Sequence, residues 1–502
     1  MTISNALSNA LSGLLTNQRQ ADITAHNIAN ATTPGFSHRD VEVNARVIGG
    51  EGGGVKVTAI QRQFDLLLTR DSRVGQARLD YLTTSADAFT RVAEALGDAD
   101  AINGLPQLFQ KTEEAFRALE TTPESVPSQQ DTLRSLQHLT RGINEVSGQF
   151  AQMRGDADAA IAREVNVLNH SLQQLAKVNR EIAVRTTSGA DTADLEDQRD
   201  QLIDDVARRV PVRVLRSDDS GTVTLLTHEG VPLLQGAEPA TIAFNSRPVV
   251  NTGEVYDPTG SAGPGFVDAL SGLTVDGRDI APGSGDIQSI GDGLIAGLFR
   301  VRDEIVPDAL AKLDAVAYAL TERFQDSAVD PSLGAGDTGL FTDAGNRLDT
   351  GDPAALVGLA SRIAVNDALD PAAGGTLSRL RDGAAAATPG YAGDPAQVTR
   401  FIAGFADPTG YAPASGLADN SLAAAAREFT QLAHQDRTAA TSNATAQQVT
   451  YKTVSERRLS QAGVNVDEEL QRIALYERSF AANSQVIQTA TRMLDDLLGI
   501  VR

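Results

Sequence analysis

Histidines and paired acids are the side chains of this sequence whose types could support acid–base chemistry or metal binding. No histidine belongs to a His-Glu-x-x-His pattern or to another pair with metal-ligand spacing, and a single histidine on a helix is usually a surface or capping residue. The acids of each pair are adjacent, so on a helix they point to different sides and form solvated faces. We therefore predict no catalytic residue and no metal site. The histidines are His26, His38, His138, His170, His228 and His434, and the pairs are Asp204-Asp205, Glu468-Glu469 and Asp495-Asp496.

The sequence also lacks the short motifs that bind cofactors. Its glycine-rich stretch, residues 49–54, has no Gly-Lys-Ser/Thr ending, so it is better interpreted as a hairpin turn than as a phosphate-binding loop. No nucleophile elbow, dinucleotide fingerprint or EF-hand loop is present. The chain has no cysteine, which excludes disulfides, thiolate metal sites and cysteine nucleophiles. We predict a protein with no cofactor and no enzymatic activity.

The charge of the chain is unevenly distributed. The net charge is -22 over 502 residues, yet residues 1–48 are neutral and residues 455–502 carry only -1, which leaves -21 for the middle. Nearly neutral ends and an acidic body are expected if the ends pack together while the body faces solvent, and such acidity argues against nucleic acid as a partner. No apolar run is long enough to cross a membrane, and the first residues lack the basic and apolar regions of a secretory signal. The chain is therefore expected to be cytoplasmic, or to be exported by a system that recognises a different signal.

The two ends carry apolar stripes with the spacing of a coiled coil. Because packing supplies most of the stability of a helix, each stripe must be buried against a partner. Periodicity alone favours an ordinary helix pair that closes one globular domain. The N-terminal stripe is Ile3, Leu7, Ala10, Leu14, Asn17, Ala21, Thr24 and Ile28, and the C-terminal stripe is Val466, Ile473, Phe480, Ile487, Leu494 and Val501, with Tyr476, Ala490 and Leu497 at the alternate position.

Between the stripes, periodicity predicts a mostly helical chain with β insertions. The first helix should end at the turn Pro34-Gly35, and strands are expected at 36–47 and 55–60. Helices are predicted at 64–96, 105–119, 130–184, 192–209, 292–324 and 421–459, and the final helix should follow Ala462-Gly463-Val464 with Asp467 as its N-cap. Residues 212–287 have β texture with a turn at 218–221, and residues 327–420 are expected to be irregular apart from a short strand at 363–365.

These elements predict an α+β fold that is mainly α, with a terminal coiled coil, a long antiparallel bundle and a smaller β-rich outer domain. We predict four parts: a terminal coiled-coil domain (1–48 plus 455–502), a helical body (49–210 plus 288–326 plus 421–454), a β-rich insertion (211–287) and an irregular Ala/Gly-rich outer region (327–420).

Several motifs resemble those of a known family. The step Ser12-Gly13-Leu14 and the stretches 27–30 and 33–37 resemble the N-terminal signature of the axial proteins of the bacterial flagellum. Residues 53–65, 195–202 and 462–469 are similar to the family of the first hook-associated protein within that group. The signature residues are Asn27, Ile28, Ala29, Asn30, Thr33, Pro34, Gly35, Phe36, Gly463, Val464 and Asn465.

The resemblance implies a structural, non-enzymatic protein of the extracellular flagellum. Such a chain would be exported by the flagellar type III apparatus without a cleaved signal peptide, with the help of an export chaperone. It would polymerise at the distal end of the hook and contact copies of itself, the hook protein, and a second junction protein between it and flagellin. No membrane insertion is expected. The implied assembly interface is Ile3, Leu7, Ala10, Leu14, Ala21, Ile28, Val466, Ile473, Phe480, Ile487, Leu494 and Val501.

Two other functions fit the same sequence. The first is a rod or hook protein of the same axial class. The second is a ligand- or host-binding module, carried on the axial scaffold by the β insertion or by residues 330–420.

Overall fold

Long helices dominate the computed structural model, which describes residues 3–48, 51–98, 104–217, 219–412 and 415–500. The predicted mainly α class with β insertions is confirmed. Residues 49 and 50 of the glycine-rich stretch, Asp218 of the predicted turn, and Val501 lie outside the described residues. The α-helices are α1 (Ile3–Ala29), α2 (Leu66–Leu96), α3 (Leu105–Thr121), α4 (Val126–Ser188), α5 (Ala193–Arg209), α6 (Leu294–Arg300), α7 (Val306–Phe324), α8 (Leu359–Arg362), α9 (Arg379–Asp382), α10 (Ala396–Ala406), α11 (Leu422–Ala462) and α12 (Val466–Ile500).

The strands are short and form several small sheets. They are β1 (Arg39–Ile48), β2 (Glu51–Arg62), β3 (Val212–Arg216), β4 (Val223–Thr227), β5 (Pro232–Gln235), β6 (Glu238–Pro239), β7 (Ile242–Ala243), β8 (Glu254–Val255), β9 (Val267–Asp268), β10 (Thr274–Val275), β11 (Arg278–Asp279), β12 (Phe341–Asp343) and β13 (Ile363–Val365). The largest sheet has the order β3-β4-β5-β6, so β3 is an edge strand. The predicted strand at 363–365 is confirmed as β13.

A turn and a hairpin follow α1. The helix ends at Ala29, earlier than the proline predicts, because the side-chain amide of Asn30 donates to the carbonyl of His26 at 3.0 Å and closes the last turn. A second turn joins Thr33 to Phe36, and Gly35 adopts φ 77° there, a conformation that favours glycine. Strands β1 and β2 then pair antiparallel over almost their whole length. The predicted hairpin is therefore confirmed in its two strands.

Residue contacts divide the chain into two compact units. Unit 1 comprises residues 1–77, 168–241 and 448–502, and unit 2 comprises residues 78–167 and 242–447. The boundary at 241/242 falls inside the segment 211–287, which the sequence groups as one insertion. The four-part division is finer than these units and stays a prediction.

The core of unit 2 includes part of the segment predicted to be irregular. Helix α10 lies in that segment, and its buried Phe401 and Phe405 contact Phe116 of α3 and Phe324 of α7, with ring centroids 4.5 to 6.0 Å apart. The prediction of irregular structure is thus wrong for residues 396–406. The burial of two aromatic rings against other helices stabilises this helix. The helical spacing of its apolar residues is hard to recognise in the sequence because the surrounding segment is rich in alanine and glycine.

The helix predicted at 292–324 is interrupted by a π-helical turn, Val301–Ile305, between α6 and α7. Pro307 has no N–H to donate to the carbonyl four residues earlier, which favours a break in regular hydrogen bonding there. The turn carries Arg302, which is fully buried and pairs with the fully buried Asp158 at 2.8 Å. The break therefore accompanies a buried ion pair.

Asp314 of α7 should make the stability of unit 2 depend on pH. Its carboxylate accepts backbone N–H bonds from Gly358 (2.7 Å) and Ala360 (2.8 Å), but burial outweighs these bonds and raises its pKa to about 6. A native pKa above the unfolded value of 3.8 favours the folded state at low pH, so this stabilisation is lost as pH rises from about 4 through about 6. Relative to Asp314→Asn, the free energy of unfolding of the natural chain should fall by up to about 3 kcal/mol over this range. Urea unfolding followed by circular dichroism measures it, and parallel pH profiles for the two chains would contradict the assignment.

Candidate functional site

The two terminal helices pack against each other in an antiparallel pair. The amide of Asn17 in α1 donates to the hydroxyl of Ser479 in α12 at 2.8 Å, and Asn27 donates to Glu469 at 3.0 Å. Residue numbers therefore rise along one helix as they fall along the other. At Gly13 the helices come so close that a Cβ would lie 2.8 Å from the amide nitrogen of Asn483. The two terminal helices predicted from the sequence thus pair within a single chain.

The residues predicted as the assembly interface are covered to different degrees in this pair. In α1, Ala10 is buried, and the other five are half-buried: Ile3, Leu7, Leu14, Ala21 and Ile28. In α12, Ile473 and Ile487 are half-buried, whereas Val466, Phe480 and Leu494 are 38 to 42% exposed. Val501 lies outside the described residues. The pair therefore leaves apolar surface of α12 open to solvent.

Several large apolar side chains that the heptad pattern did not select are more exposed still. Leu11 and Leu15 lie on α1 away from the α12 contact, and a cleft of about 540 Å³ runs between Ile3 and Ala6 on one helix and Val486 and Met493 on the other. The sequence shows apolar residues at these positions, but a heptad pattern that follows a single face of each helix does not include them. This exposed set is Leu11, Leu15, Leu470, Leu475, Val486, Met493 and Leu498, and Leu497 of the predicted stripe is exposed as well.

A buried polar cluster joins the base of the helix pair to the β1–β2 hairpin. Asn27 is fully buried and donates both to Glu469 and to the carbonyl of Arg39, while the backbone N–H of Arg39 donates back to Asn27 at 3.2 Å. The Nε2 of His38 lies 3.1 Å from the other carboxylate oxygen of Glu469. Both predictions made for these residues are wrong: His38 is not a surface residue, and Glu469 is not part of a solvated face. Burial is tolerated because Asn27, His38 and Arg472 surround this carboxylate.

The buried polar cluster continues into α5 through arginine–carboxylate pairs. Arg39 and Arg62 each contact Asp197 at 2.8 Å, and Arg62 also donates to Asp200 at 2.8 Å. Burial alone would raise the pKa of Asp200, but Arg62, Arg73 and Arg199 outweigh burial and hold that pKa below its usual range. The cluster thus ties the hairpin to α5 through charged hydrogen bonds.

The prediction that the pair Asp204-Asp205 forms a solvated face is also wrong, because both side chains have specific partners. Asp204 accepts from Arg73 at 2.5 Å and from Arg458 at 2.9 Å, which connects α5 to α2 and to α11. Asp205 accepts from Ser171 at 2.6 Å. Asp495 and Asp496, in contrast, are exposed. These contacts require partners far away in sequence, so local spacing carried no signal for them.

The N-terminal signature residues shape the turn that leaves α1. Phe36 packs against His26 with the rings tilted by 52° and 5.5 Å between their centroids, and the guanidinium of Arg39 lies 4.8 Å from the centre of the Phe36 ring. The carbonyl of Pro34 accepts from the side chain of Gln201 at 2.9 Å, and a Cβ on Gly35 would collide with that side chain. Asn27 is buried, Ile28, Asn30 and Phe36 are half-buried, and the exposed members are Ala29, Thr33, Pro34 and Gly35.

The C-terminal signature residues separate α11 from α12. Gly463 donates its N–H to the carbonyl of Leu459 at 2.8 Å, and a Cβ on this glycine would lie only 2.4 Å from that oxygen. Val464 is half-buried. The side-chain oxygen of Asn465 accepts from the backbone N–H of Asp467 (3.1 Å) and of Glu468 (3.4 Å). Asn465 is therefore the N-cap of α12, and the prediction of Asp467 is wrong because that residue is already in the first turn.

Replacing this cap should weaken the start of α12. Asn465→Ala should lower the free energy of unfolding by about 1 kcal/mol, because two backbone N–H groups lose their acceptor. Asp467→Ala is the matched control, and it should cost less because Asp467 contributes only its charge near the helix N-terminus. Urea titration of both variants measures the difference. An equal or larger cost for Asp467→Ala would contradict the assignment of the cap.

Neither a cluster of metal ligands nor a helix that could cross a membrane occurs in the described part of the chain. Among residues 3–48, 51–98, 104–217, 219–412 and 415–500, no three histidine or acidic side chains are grouped so that they could hold a metal ion. None of the helices described there combines the length and the apolar character that crossing a bilayer requires.

Both ends of the chain and its helical middle match families of known proteins. Family models match residues 89–329 (Flagellar hook-associated protein FlgK helical domain), residues 7–36 (Flagella basal body rod protein) and residues 455–500 (Flagellar basal body rod FlgEFG protein C-terminal). The chain is 24% identical over 560 residues to flagellar hook-associated protein 1 of Salmonella typhimurium, a match that covers 99% of this chain and 100% of the relative. It is 25% identical over 236 residues to flagellar hook-associated protein 1 of Bacillus subtilis, covering 45% of this chain and 46% of the relative.

A solved structure shows a weaker likeness. The flagellar hook junction protein FlgK from Burkholderia pseudomallei aligns with a TM-score of 0.44 and 19% identity, over 56% of this chain and 49% of that one.

Proposed function

Because the chain belongs to the family of flagellar hook-associated protein 1, we propose that it is the structural component that joins the hook of the bacterial flagellum to the filament. The match to the Salmonella relative over nearly the whole of both chains supports this proposal. Its relatives are structural proteins of the flagellum, and we extend their lack of enzymatic activity to this chain.

The exposed apolar surface of the helix pair is the observation that carries the proposal. Side chains such as Leu11, Leu15 and Phe480 are partly or largely open to solvent although α1 and α12 already cover each other. A soluble protein rarely exposes many large apolar residues on one element unless another molecule covers them. Contacts between unlike faces of identical subunits generate an open helical polymer when the rotation between successive subunits does not close a ring. We propose that neighbouring copies cover this surface, together with the interface residues predicted from the sequence.

The proposed function implies a defined set of partners. We propose that the polymer contacts the hook protein on one side and a second junction protein on the other, the latter lying between it and flagellin. Before assembly, a flagellar export chaperone would hold the chain, and export would proceed without removal of a signal peptide. The place of action is the external flagellum.

Deletion of the gene in its own bacterium tests the function. Electron microscopy should show hooks that assemble to normal length but carry no filament, and filament subunits should accumulate in the medium. Expression of the intact chain from a plasmid should restore filaments. If hooks themselves are missing, the chain is a rod or hook protein of the same axial class.

The second rival function is a ligand- or host-binding module in the β insertion or in residues 330–420, and it is not favoured for residues 330–420. This segment supplies Phe341, Phe401 and Phe405 to the buried core of unit 2, so packing accounts for its presence.

A further inference from the structure

Unit 1 contains an apolar pocket that the proposed function does not use. The pocket has a volume of about 720 Å³, within the range of protein pockets that bind ligands, and it lies between the start of α2, the edge strand β3 and α11. Its apolar lining consists of Phe64, Leu66, Val74, Val212, Val214 and Val454. Leu66 and Val74 are 54% and 43% exposed, so the pocket opens to solvent through apolar side chains.

The charged side chains around this pocket are mostly basic, although the chain as a whole carries -22. Arg216 stacks on Phe64 with 4.4 Å between the guanidinium carbon and the ring centroid, and Arg70 pairs with the adjacent Asp71. Arg213 is exposed and has no carboxylate partner among the described residues. The pocket therefore suits an apolar segment that also carries negative charge.

The end of α12 has the complementary character. Its large apolar side chains, Met493, Leu494, Leu497 and Leu498, are 38 to 66% exposed. Asp495 and Asp496 lie between them, are exposed, and make no ion pair within the part of the chain that the structure describes. Within one copy, Met493 lies beside Ile3 and Ala6 at the start of α1, whereas the pocket is lined from α2, β3 and α11. The two surfaces therefore need different copies to meet.

We propose that the end of α12 in one copy docks into this pocket of a second copy, with its leucines against the apolar lining and its two aspartates beside Arg213. The inference rests on the proposed function and adds the longitudinal contact of the polymer. The two surfaces differ and lie on different parts of the chain. Each copy thus contributes the end of its α12 to one contact and its pocket to another, and repeating the contact gives an open chain of subunits rather than a closed dimer.

Cross-linking tests the contact directly, because the natural chain has no cysteine. Val74→Cys and Leu497→Cys, made on separate chains and mixed during polymerisation, should give oxidised dimers, whereas each variant alone should give monomers. The double variant should give a ladder of dimers, trimers and longer species. Val74→Cys mixed with Gln471→Cys, an exposed position earlier in α12, is the control and should stay monomeric. Dimers from either single variant alone would show a symmetric contact and overturn the proposal.

A charge reversal tests the electrostatic part. Arg213→Glu should raise the critical concentration for polymerisation about threefold to tenfold, and so should the double change Asp495→Lys/Asp496→Lys. Combining all three changes should restore the value of the unmodified chain. If the unmodified chain polymerises but neither the cross-links nor the charge effects appear, the docking proposal is wrong and the proposed function stands. If the unmodified chain forms no polymer and its deletion leaves filaments intact, the proposed function fails and the docking proposal fails with it.

Discussion

Phe480→Asp should abolish polymerisation and leave the melting of the monomer nearly unchanged. Phe480 is 42% exposed in the isolated chain, so a carboxylate there remains in contact with water and costs little. In the proposed polymer the same position is covered by a neighbour, and burying an unpaired carboxylate costs several kcal/mol at every repeat of the contact. The critical concentration should rise by at least about a hundredfold, which sedimentation and electron microscopy measure directly.

The matched control for this variant is Gln471→Asp. Gln471 is exposed on the same helix, about two and a half turns earlier and so on its opposite side. The Gln471→Asp change introduces the same carboxylate and should leave polymerisation intact. Normal polymers of the Phe480→Asp chain, or equal loss with both variants, would rule out a specific role of this face.

Asp200→Asn should destabilise unit 1 by about 3 to 5 kcal/mol, because it removes one of the carboxylates that neutralise the buried guanidinium groups of Arg62 and Arg73. Asp200 is buried, accepts from Arg62 at 2.8 Å and lies 3.5 Å from Arg73. Its pKa lies below the usual range, so its stabilising contribution is present above the unfolded value of 3.8 and is lost as pH falls below it. The cost of the substitution should therefore be largest at neutral pH and shrink in acid.

Asp194→Asn is the control, since Asp194 also lies on α5 and also pairs with an arginine, Arg39, at 2.7 Å. Its side chain is 74% exposed, so the loss of this pair should cost less than about 1 kcal/mol. Urea unfolding of both variants gives the comparison. Similar costs for the two would mean that burial does not set the strength of these ion pairs.

The periodic helices could be predicted from the sequence because each of them repeats its pattern over many turns. The helices predicted at 64–96, 130–184 and 192–209 agree with α2, α4 and α5 to within a few residues. A long amphipathic stripe indicates a helix in every segment of the sequence that it covers, and this consistency outweighs single residues that disfavour a helix. The same reasoning identified both terminal helices and the segment that separates α11 from α12.

The buried polar cluster could not be predicted because its partners are far apart along the chain. His38 and Glu469 are 431 residues apart, and Asn27 and Glu469 are 442 apart. A charged residue at the start of a helix is normally solvated, so Glu469 gave no local sign of burial. Helix α10 was missed for a different reason: Val398, Phe401 and Phe405 have helical spacing, but the helix is short and lies in an alanine- and glycine-rich segment.

The discontinuous composition of unit 1 has a consequence for the order of events during synthesis. Its helix pair depends on contacts such as the one between Asn17 and Ser479, which are 462 residues apart. The ribosome must therefore synthesise α12 before α1 can pair with it. The entropic cost of closing so long a loop grows only with the logarithm of its length. Until then the nascent chain keeps its first helix unpaired, and the slow search for distant contacts prolongs that state. The late pairing leaves α1 without its partner helix until synthesis ends, which is compatible with the export proposed above.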